Sequence, residues 1–156
     1  MRLFIVAVGH RMPAWVDAGF AEYAGRMPRE MRVELIALKP APRNGGARRA
    51  IETEGQRIVA AVPGDCTTIA LDERGAAITT TGLARRLAQW RQIGCNIAFL
   101  IGGADGLAES VKKSADAVWS LSPMTLPHGL ARVVLAEQLY RAGSILHNHP
   151  YHRGEG

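Results

Sequence analysis

Cysteine is nearly absent from this chain, and the two that occur, Cys66 and Cys95, stand in neither a CxxC nor any metal-ligand spacing. That excludes a disulfide framework and a cysteine-built metal centre. Both read as reduced thiols buried on strands, as in a cytoplasmic protein. No stretch approaches the ~20 apolar residues of a membrane span, and the opening MRLFIVAVGH is too short an apolar run, without a small-residue cleavage site, for a signal peptide. Internal repeats, low-complexity blocks and shifts of composition are missing as well, so nothing divides residues 1–156 into more than one domain.

What remains is the composition of a compact α/β or α+β protein: 47% hydrophobic, 21% charged and only 6% aromatic residues. A chain of 156 residues buries about two-thirds of the surface that it exposes unfolded, so its core needs no staple. The net charge of +5 favours a polyanionic partner or substrate, the alternative being an ordinary solvated basic surface.

Apolar periodicity places the elements. Residues 3–8 form an unbroken apolar run ending at Gly9, the pattern of a central strand covered on both faces. Phe20, Tyr23, Ala24 and Met27 then share one helical stripe in a helix that begins near Pro13. A second strand is expected over 32–38, followed by the loop KPAPRNGG and a helix through Ile51, Gly55, Ile58, Val59 and Val62. Lys39, Arg43, Arg48 and Arg49 in and after that loop suit either phosphate contacts or plain solvation. A short strand over 67–71 ends in the turn chemistry of DERG. A helix over 81–93 is apolar at Leu83, Leu87 and Trp90, with Arg85, Arg86 and Arg91 on its solvated side. The run NIAFLI, 96–101, is the fourth strand. A short helix over 107–115, a strand near 117–121 and a long helix over 129–146 complete the pattern.

Two places carry chemistry. GGADG follows the fourth strand directly, and Gly102, Gly103 and Gly106 permit either a close backbone approach to a nucleotide-type ligand or a tight structural turn. It is neither a P-loop, since no GK[ST] follows, nor the GxGxxG dinucleotide fingerprint. Asp72, Asp105 and Glu109 lie near strand ends as possible bases or ribose acceptors, or simply as turn and cap residues. The second place is the stretch 119–141. There a strand end turns through a polar, proline-bounded segment into a helix that carries Leu130, Val134, Glu137 and Arg141 on one face and Leu135, Leu139, Ala142 and Leu146 on nearly the opposite one. Two faces seeking burial suggest a second copy of the chain. Glu137 and Arg141, four apart within an apolar stripe, pair with each other or belong to a site. His147, His149 and His152 lack a second ligand cluster, so no metal is expected.

FLIGGADG, WSLSPMTLPH, RVVLAEQLYRA and NHPYHR, together with the N-terminal VAVGHRMPAWVDAGFAEYAGRMP, closely resemble the bacterial ribosomal large-subunit pseudouridine N3-methyltransferases of the SPOUT superfamily. The resemblance spans essentially the whole chain, and the ordered combination of motifs is more specific than any one of them. It implies an α/β fold whose parallel-rich sheet is flanked by helices and whose C-terminal part forms a trefoil knot, a homodimer, and S-adenosyl-L-methionine as cofactor. The implied substrate is a pseudouridine in stem-loop 69 of 23S ribosomal RNA within the assembled ribosome.

Carried over by position, the resemblance implies cofactor contacts from Leu71, Gly102, Gly103, Leu121, Ser122, Pro123, Met124, Thr125 and Leu126. It implies catalytic roles for His152, Tyr151 and Glu137, with Asp105 considered as a further base. His128, Arg132, Arg141 and Arg153 are the implied substrate-binding residues, and no metal takes part. The tail is implied to reach the site across the dimer. Pro123, Gly129 and the terminal GEG depart from the family pattern without removing a motif residue. Two other readings stand beside it: a non-catalytic RNA-binding protein on the same fold, and an oxidoreductase using the GGADG turn, which the missing glycine fingerprint disfavours.

Overall fold

The computed structural model describes residues 1–153, so the terminal GEG lies outside the described residues. The apolar run at the start becomes β1 (Arg2–Val8), buried from Leu3 onward. It pairs in parallel with β2 (Arg32–Leu38) on one side and with β4 (Asn96–Ile101) on the other, so that Ile5 stands opposite both Leu35 and Phe99. β3 (Cys66–Ala77) pairs with β4, and β5 (Ala117–Ser120) with β3, giving the order β2-β1-β4-β3-β5 with every pairing parallel. Parallel neighbours need crossovers, and the helices that supply them cover both faces.

One face packs under α1 (Ala14–Ala24), α3 (Thr80–Ile93) and α5 (His128–Leu146), around Ile5, Phe99, Leu87, Trp119 and Leu139. The other packs under α2 (Ala47–Ala61) and α4 (Glu109–Ser114), around Val6, Leu100, Ile58 and Val111. Burying one such aliphatic or aromatic side chain stabilises the fold by about 1.5–3 kcal/mol, which is why the alternation of strand residues between faces builds two cores at once. α3 shows how local chemistry sets an element's limits: the Thr79 hydroxyl accepts the Gly82 N–H at 2.9 Å, and Gly94 ends the helix in the left-handed region at φ 82°.

Several expectations change. The third strand does not stop at Leu71: Leu71 and Ala76 both pair with Trp119, so residues 72–75 bulge out and the strand re-enters the sheet. The turn chemistry is real, since Asp72 accepts the Arg74 N–H at 3.2 Å. Gly75 is what permits the return, because a Cβ there would stand 2.7 Å from the main chain of Trp119. The helix expected over 107–115 shortens to α4. Cys95 lies between α3 and β4 rather than on a strand, and both thiols are half-buried. α5 lies against α1 and α3, with Leu135, Leu139 and Ala142 fully inside and Leu130, Val134, Glu137 and Arg141 half-buried on the outer side.

Candidate active site

At the carboxyl edge of the sheet, where parallel strands end and helices begin, lies a cavity of about 780 Å³. Three pieces of chain wall it: Leu71 with the bulge residues Asp72, Glu73 and Arg74; the Gly102–Leu107 turn; and the segment leading from Leu121 through Pro127 into His128 and Ala131, with Glu109 and Lys112 of α4 closing one side. Its volume falls in the range, roughly 300–1,000 Å³, that holds a small-molecule ligand or cofactor.

The glycine turn is tight because its own main chain fills it. Gly106 adopts φ 83° and donates its N–H to the Gly103 carbonyl at 3.0 Å. A Cβ on Gly102 would stand 2.4 Å from the Gly106 carbonyl carbon, so only glycine lets the turn close. The segment before α5 is held by its hydroxyls. Ser120 Oγ donates to the Ser122 carbonyl at 2.8 Å, Ser122 Oγ accepts the Met124 N–H at 2.9 Å, and Thr125 Oγ1 donates to the Glu73 carboxylate. No side chain caps the start of α5, leaving its first N–H groups for solvent or ligand. His128 is half-buried there. Burial, and after it the Arg132 charge, pushes its pKa below the usual 6.5 against a smaller opposing pull from Glu54. The imidazole is therefore neutral at physiological pH.

Leu71, Gly102, Gly103, Leu121, Ser122, Met124, Thr125 and Leu126 all line this cavity, as do His128 and Asp105. Pro123 does not: it is exposed and outside the lining. Glu73, Arg74 and Lys112 line it without having been anticipated. Glu73 and Arg74 belong to the bulge, whose return to the sheet depends on pairing with β5 far along the chain. Lys112 Nζ sits 2.8 Å from Glu109 and 3.9 Å from Asp72, drawing α4 toward the bulge.

Glu137, Arg141, Tyr151 and His152 gather elsewhere. Arg141 Nε donates to Glu137 Oε1 at 2.7 Å, the Tyr151 hydroxyl donates to the same oxygen at 3.2 Å, and Gln138 Nε2 donates to Glu137 Oε2 at 2.7 Å. The Arg141 guanidinium also lies over the Tyr151 ring at 4.6 Å from its centroid. Asn148, at φ 52°, turns the chain so that the 3-10 turn Pro150–Arg153 folds back on α5. Burial, reinforced by hydrogen bonding to Tyr23 and the Glu137 charge, pushes the Tyr151 phenol up to about 12. His152 Nδ1 is buried without a hydrogen-bond partner among the described residues, and Arg153 donates to Asn148 Oδ1 at 3.3 Å. Arg132 departs from its expected role as a substrate contact. It is 1% exposed and its Nη2 donates to the carbonyls of Gly9 at 2.9 Å and Val8 at 3.3 Å, so it ties α5 to the end of β1 from inside. Among the described residues no group of three His, Cys, Asp or Glu is placed to hold a metal ion.

A parallel sheet with a glycine turn and a cavity of small-molecule size at its carboxyl edge defines an α/β protein of the open parallel-sheet class. The sequence profile of the family described as Predicted SPOUT methyltransferase matches residues 1–152, and the chain belongs to that family. It is similar to the "Ribosomal RNA large subunit methyltransferase H" of Ralstonia pickettii (strain 12J), at 56% identity over 98% of this chain and 99% of that protein. Proteins of the same name from Burkholderia multivorans (strain ATCC 17616 / 249), at 56%, and Janthinobacterium sp. (strain Marseille), at 55%, are covered to the same extent. The solved structure of "a probable methylase family protein from Haemophilus influenzae Rd KW20" superposes with a TM-score of 0.55 at 15% identity, covering 96% of this chain and 68% of that one, a likeness of fold.

Proposed function

We propose that this chain is an S-adenosyl-L-methionine-dependent methyltransferase that methylates N3 of a pseudouridine in stem-loop 69 of 23S ribosomal RNA, in the assembled cytoplasmic ribosome and as a single-domain homodimer. The observation that carries the reading is the convergence of Leu71, the glycine turn and the Leu121–Leu126 segment on one cavity, in relatives' company whose shared name is a large-subunit ribosomal RNA methyltransferase. The knot of the SPOUT resemblance is part of the same reading.

The residues fit the cofactor. The turn closed at Gly102 brings main chain to the cavity wall, and Leu71, Leu121 and Leu126 give it an apolar lining for an adenine ring, beside polar groups at Ser122 and Thr125. When bound, S-adenosyl-L-methionine supplies a methyl group already activated on a sulfonium sulfur. Every remaining demand falls on the protein. Transfer of that methyl to N3 would require the chain to hold the base in line with the donor and to let the N3 proton leave to a base or to water. Holding the two reactants in line supplies much of the rate, and a base adds to it. In this reading His128, which lines the cavity with its pKa held below 6.5 by burial, contacts the RNA base.

Tyr151, His152 and Glu137 act in this reading through a second subunit. In a single chain Tyr151 and His152 pack against α5, which carries Glu137, and all three are absent from the cavity lining, so the second copy delivers them, Tyr151 and His152 on its tail and Glu137 on its α5. With its phenol pushed up to about 12, Tyr151 is a hydrogen-bond donor or stacking surface for a flipped base rather than its base catalyst. Arg141 and Arg153 are the substrate-facing cations of this arrangement, and the half-buried outer face of α5 is its dimer contact.

Purified protein with labelled S-adenosyl-L-methionine, offered unmethylated ribosomes or free ribosomal RNA, is expected to place one methyl on N3 of the pseudouridine in the ribosome only. Label on another nucleotide would overturn the substrate. Cofactor binding without transfer to any RNA would favour the non-catalytic RNA-binding reading instead.

A further inference from the structure

Glu54 is an acid in the middle of α2 that is 2% exposed, and nothing in the proposed reaction uses it. One oxygen, Oε2, accepts the Ala41 N–H at 3.0 Å and Arg43 Nη1 at 3.1 Å. The other, Oε1, is buried with no hydrogen-bond partner among the described residues. It points at the glycine turn: a Cβ on Gly103 would stand 3.3 Å from Oε1 and 3.1 Å from the Val8 side chain. A buried carboxylate oxygen left unpaired is costly, and a side chain that served only to tie α2 to the neighbouring loop would not need to face Gly103.

Arg43 extends the connection. While Nη1 holds Glu54, Nε lies 3.1 Å from Asp105 Oδ2, inside the same glycine turn. The Glu54 hydrogen bond is the main reason that the Arg43 guanidinium is held above its ordinary range. α2, the loop after β2 and the turn after β4 are thus joined through one carboxylate and one guanidinium, and both Gly103 and Asp105 line the cavity that Glu54 itself does not enter.

We infer that Glu54 and Arg43 are positioning residues for the cofactor cavity: Glu54 backs the Gly103 side of the turn, and Arg43 clasps its Asp105 side, so that together they set the wall against which the methyl donor lies. The inference rests on the reading of that cavity as the S-adenosyl-L-methionine site. Gly103 is glycine in this arrangement because a side chain would press on Glu54 and Val8. The clasp acts on donor binding and leaves the RNA side alone.

The test compares Glu54→Gln, Arg43→Gln, Arg43→Lys and the double Gln variant in the dimeric full chain, by calorimetric S-adenosyl-L-methionine binding, by KM and kcat on ribosomes, and by thermal unfolding. Glu54→Gln keeps the shape and one acceptor. Its affinity for the donor is expected to fall about tenfold or more, as expected when the groups that orient a ligand are released, with KM for the donor rising in step and kcat changing less than about threefold. Arg43→Gln, at a half-exposed position, should reproduce the loss without unfolding the chain. Arg43→Lys should recover part of it, and the double variant should be no worse than Glu54→Gln alone because the pair works as one unit. Unchanged donor affinity in Glu54→Gln and Arg43→Gln, with only the melting temperature lowered, would reduce the clasp to a loop tie and overturn the inference. Wild-type protein that binds no donor in the same calorimeter would instead remove the cofactor reading, and this inference with it.

Discussion

The cavity at the carboxyl edge of the sheet and the cluster around Glu137 sit along the same helix, roughly 14 Å apart by the rise from His128 to Glu137, yet they are made in different ways. The cavity is walled by turns of main chain whose shape depends on Gly102, Gly103 and Gly106 and on the hydroxyls of Ser120 and Ser122. The cluster is made of side chains that satisfy one another, with three donors on the two Glu137 oxygens. Main-chain walls recognise a ligand by shape and tolerate little change in backbone. Side-chain clusters depend on charge and protonation, and can exchange one partner for another when a new group arrives.

The difference is broken most severely at Gly102. Gly102→Ala is expected to weaken S-adenosyl-L-methionine binding at least about 100-fold, since the added Cβ meets the Gly106 main chain at 2.4 Å. The Tyr151 environment, followed by its ring resonances, should stay as it is. Next comes Arg141→Ala, which removes one of the Glu137 donors and the cation over Tyr151. We expect kcat on ribosomes to fall about 10- to 100-fold with calorimetric donor affinity within about twofold. A parallel loss of affinity would show that the two regions are one.

Smaller effects come from protons. The folded-state pKa of Tyr151 is about 12 against an unfolded value of 10.0, so between these values the unfolded chain has lost a proton that the folded chain keeps, and stability falls as pH rises. Tyr151→Phe should flatten that alkaline limb in urea titrations. His128 has the opposite place. Its pKa lies below 6.5 in the folded chain, so below 6.5 the unfolded chain binds the extra proton and stability falls as pH drops. A protonated imidazole at the cavity also repels the cationic donor. Donor affinity should weaken on the acid side of 6.5, and His128→Asn should remove that limb.

Much of the architecture was legible where local pattern and burial agree. The apolar runs of β1 and β4, the Leu83, Leu87 and Trp90 stripe of α3 and the Gly-Gly turn are visible in the letters, because each depends on a few nearby residues. Strand order is not visible, since β1 finds β4 across more than ninety residues and nothing local encodes that choice. The bulge at 72–75 hides for a related reason: DERG is good turn chemistry, and only the pairing of both Leu71 and Ala76 with Trp119 turns the end of a strand into an interruption within one. The residues that the resemblance carried over as cofactor contacts line the cavity, apart from Pro123, while Glu73, Arg74 and Lys112 line it without having been named. Burial of charge was the least legible: Arg132, implied as a substrate contact, and Glu54, which no motif singled out, are two of the most deeply buried side chains, one held by carbonyls and the other by a neighbouring loop.

The indoles of Trp90 and Trp119 lie nearly parallel, 5.8 Å apart with 19° between their planes, and the Arg86 guanidinium reaches over both rings. Trp119 is two positions before Leu121, a wall residue of the cavity, while the third tryptophan, Trp15, is largely open to water. Stacked chromophores couple their strong transitions, so this pair should give a paired, sign-alternating signal in the far-ultraviolet indole band of the circular dichroism spectrum that a lone exposed indole cannot give. The molecule thereby carries its own optical gauge, attached to the chain that enters the cavity, and a ligand settling there becomes readable as a change in ellipticity with no label added.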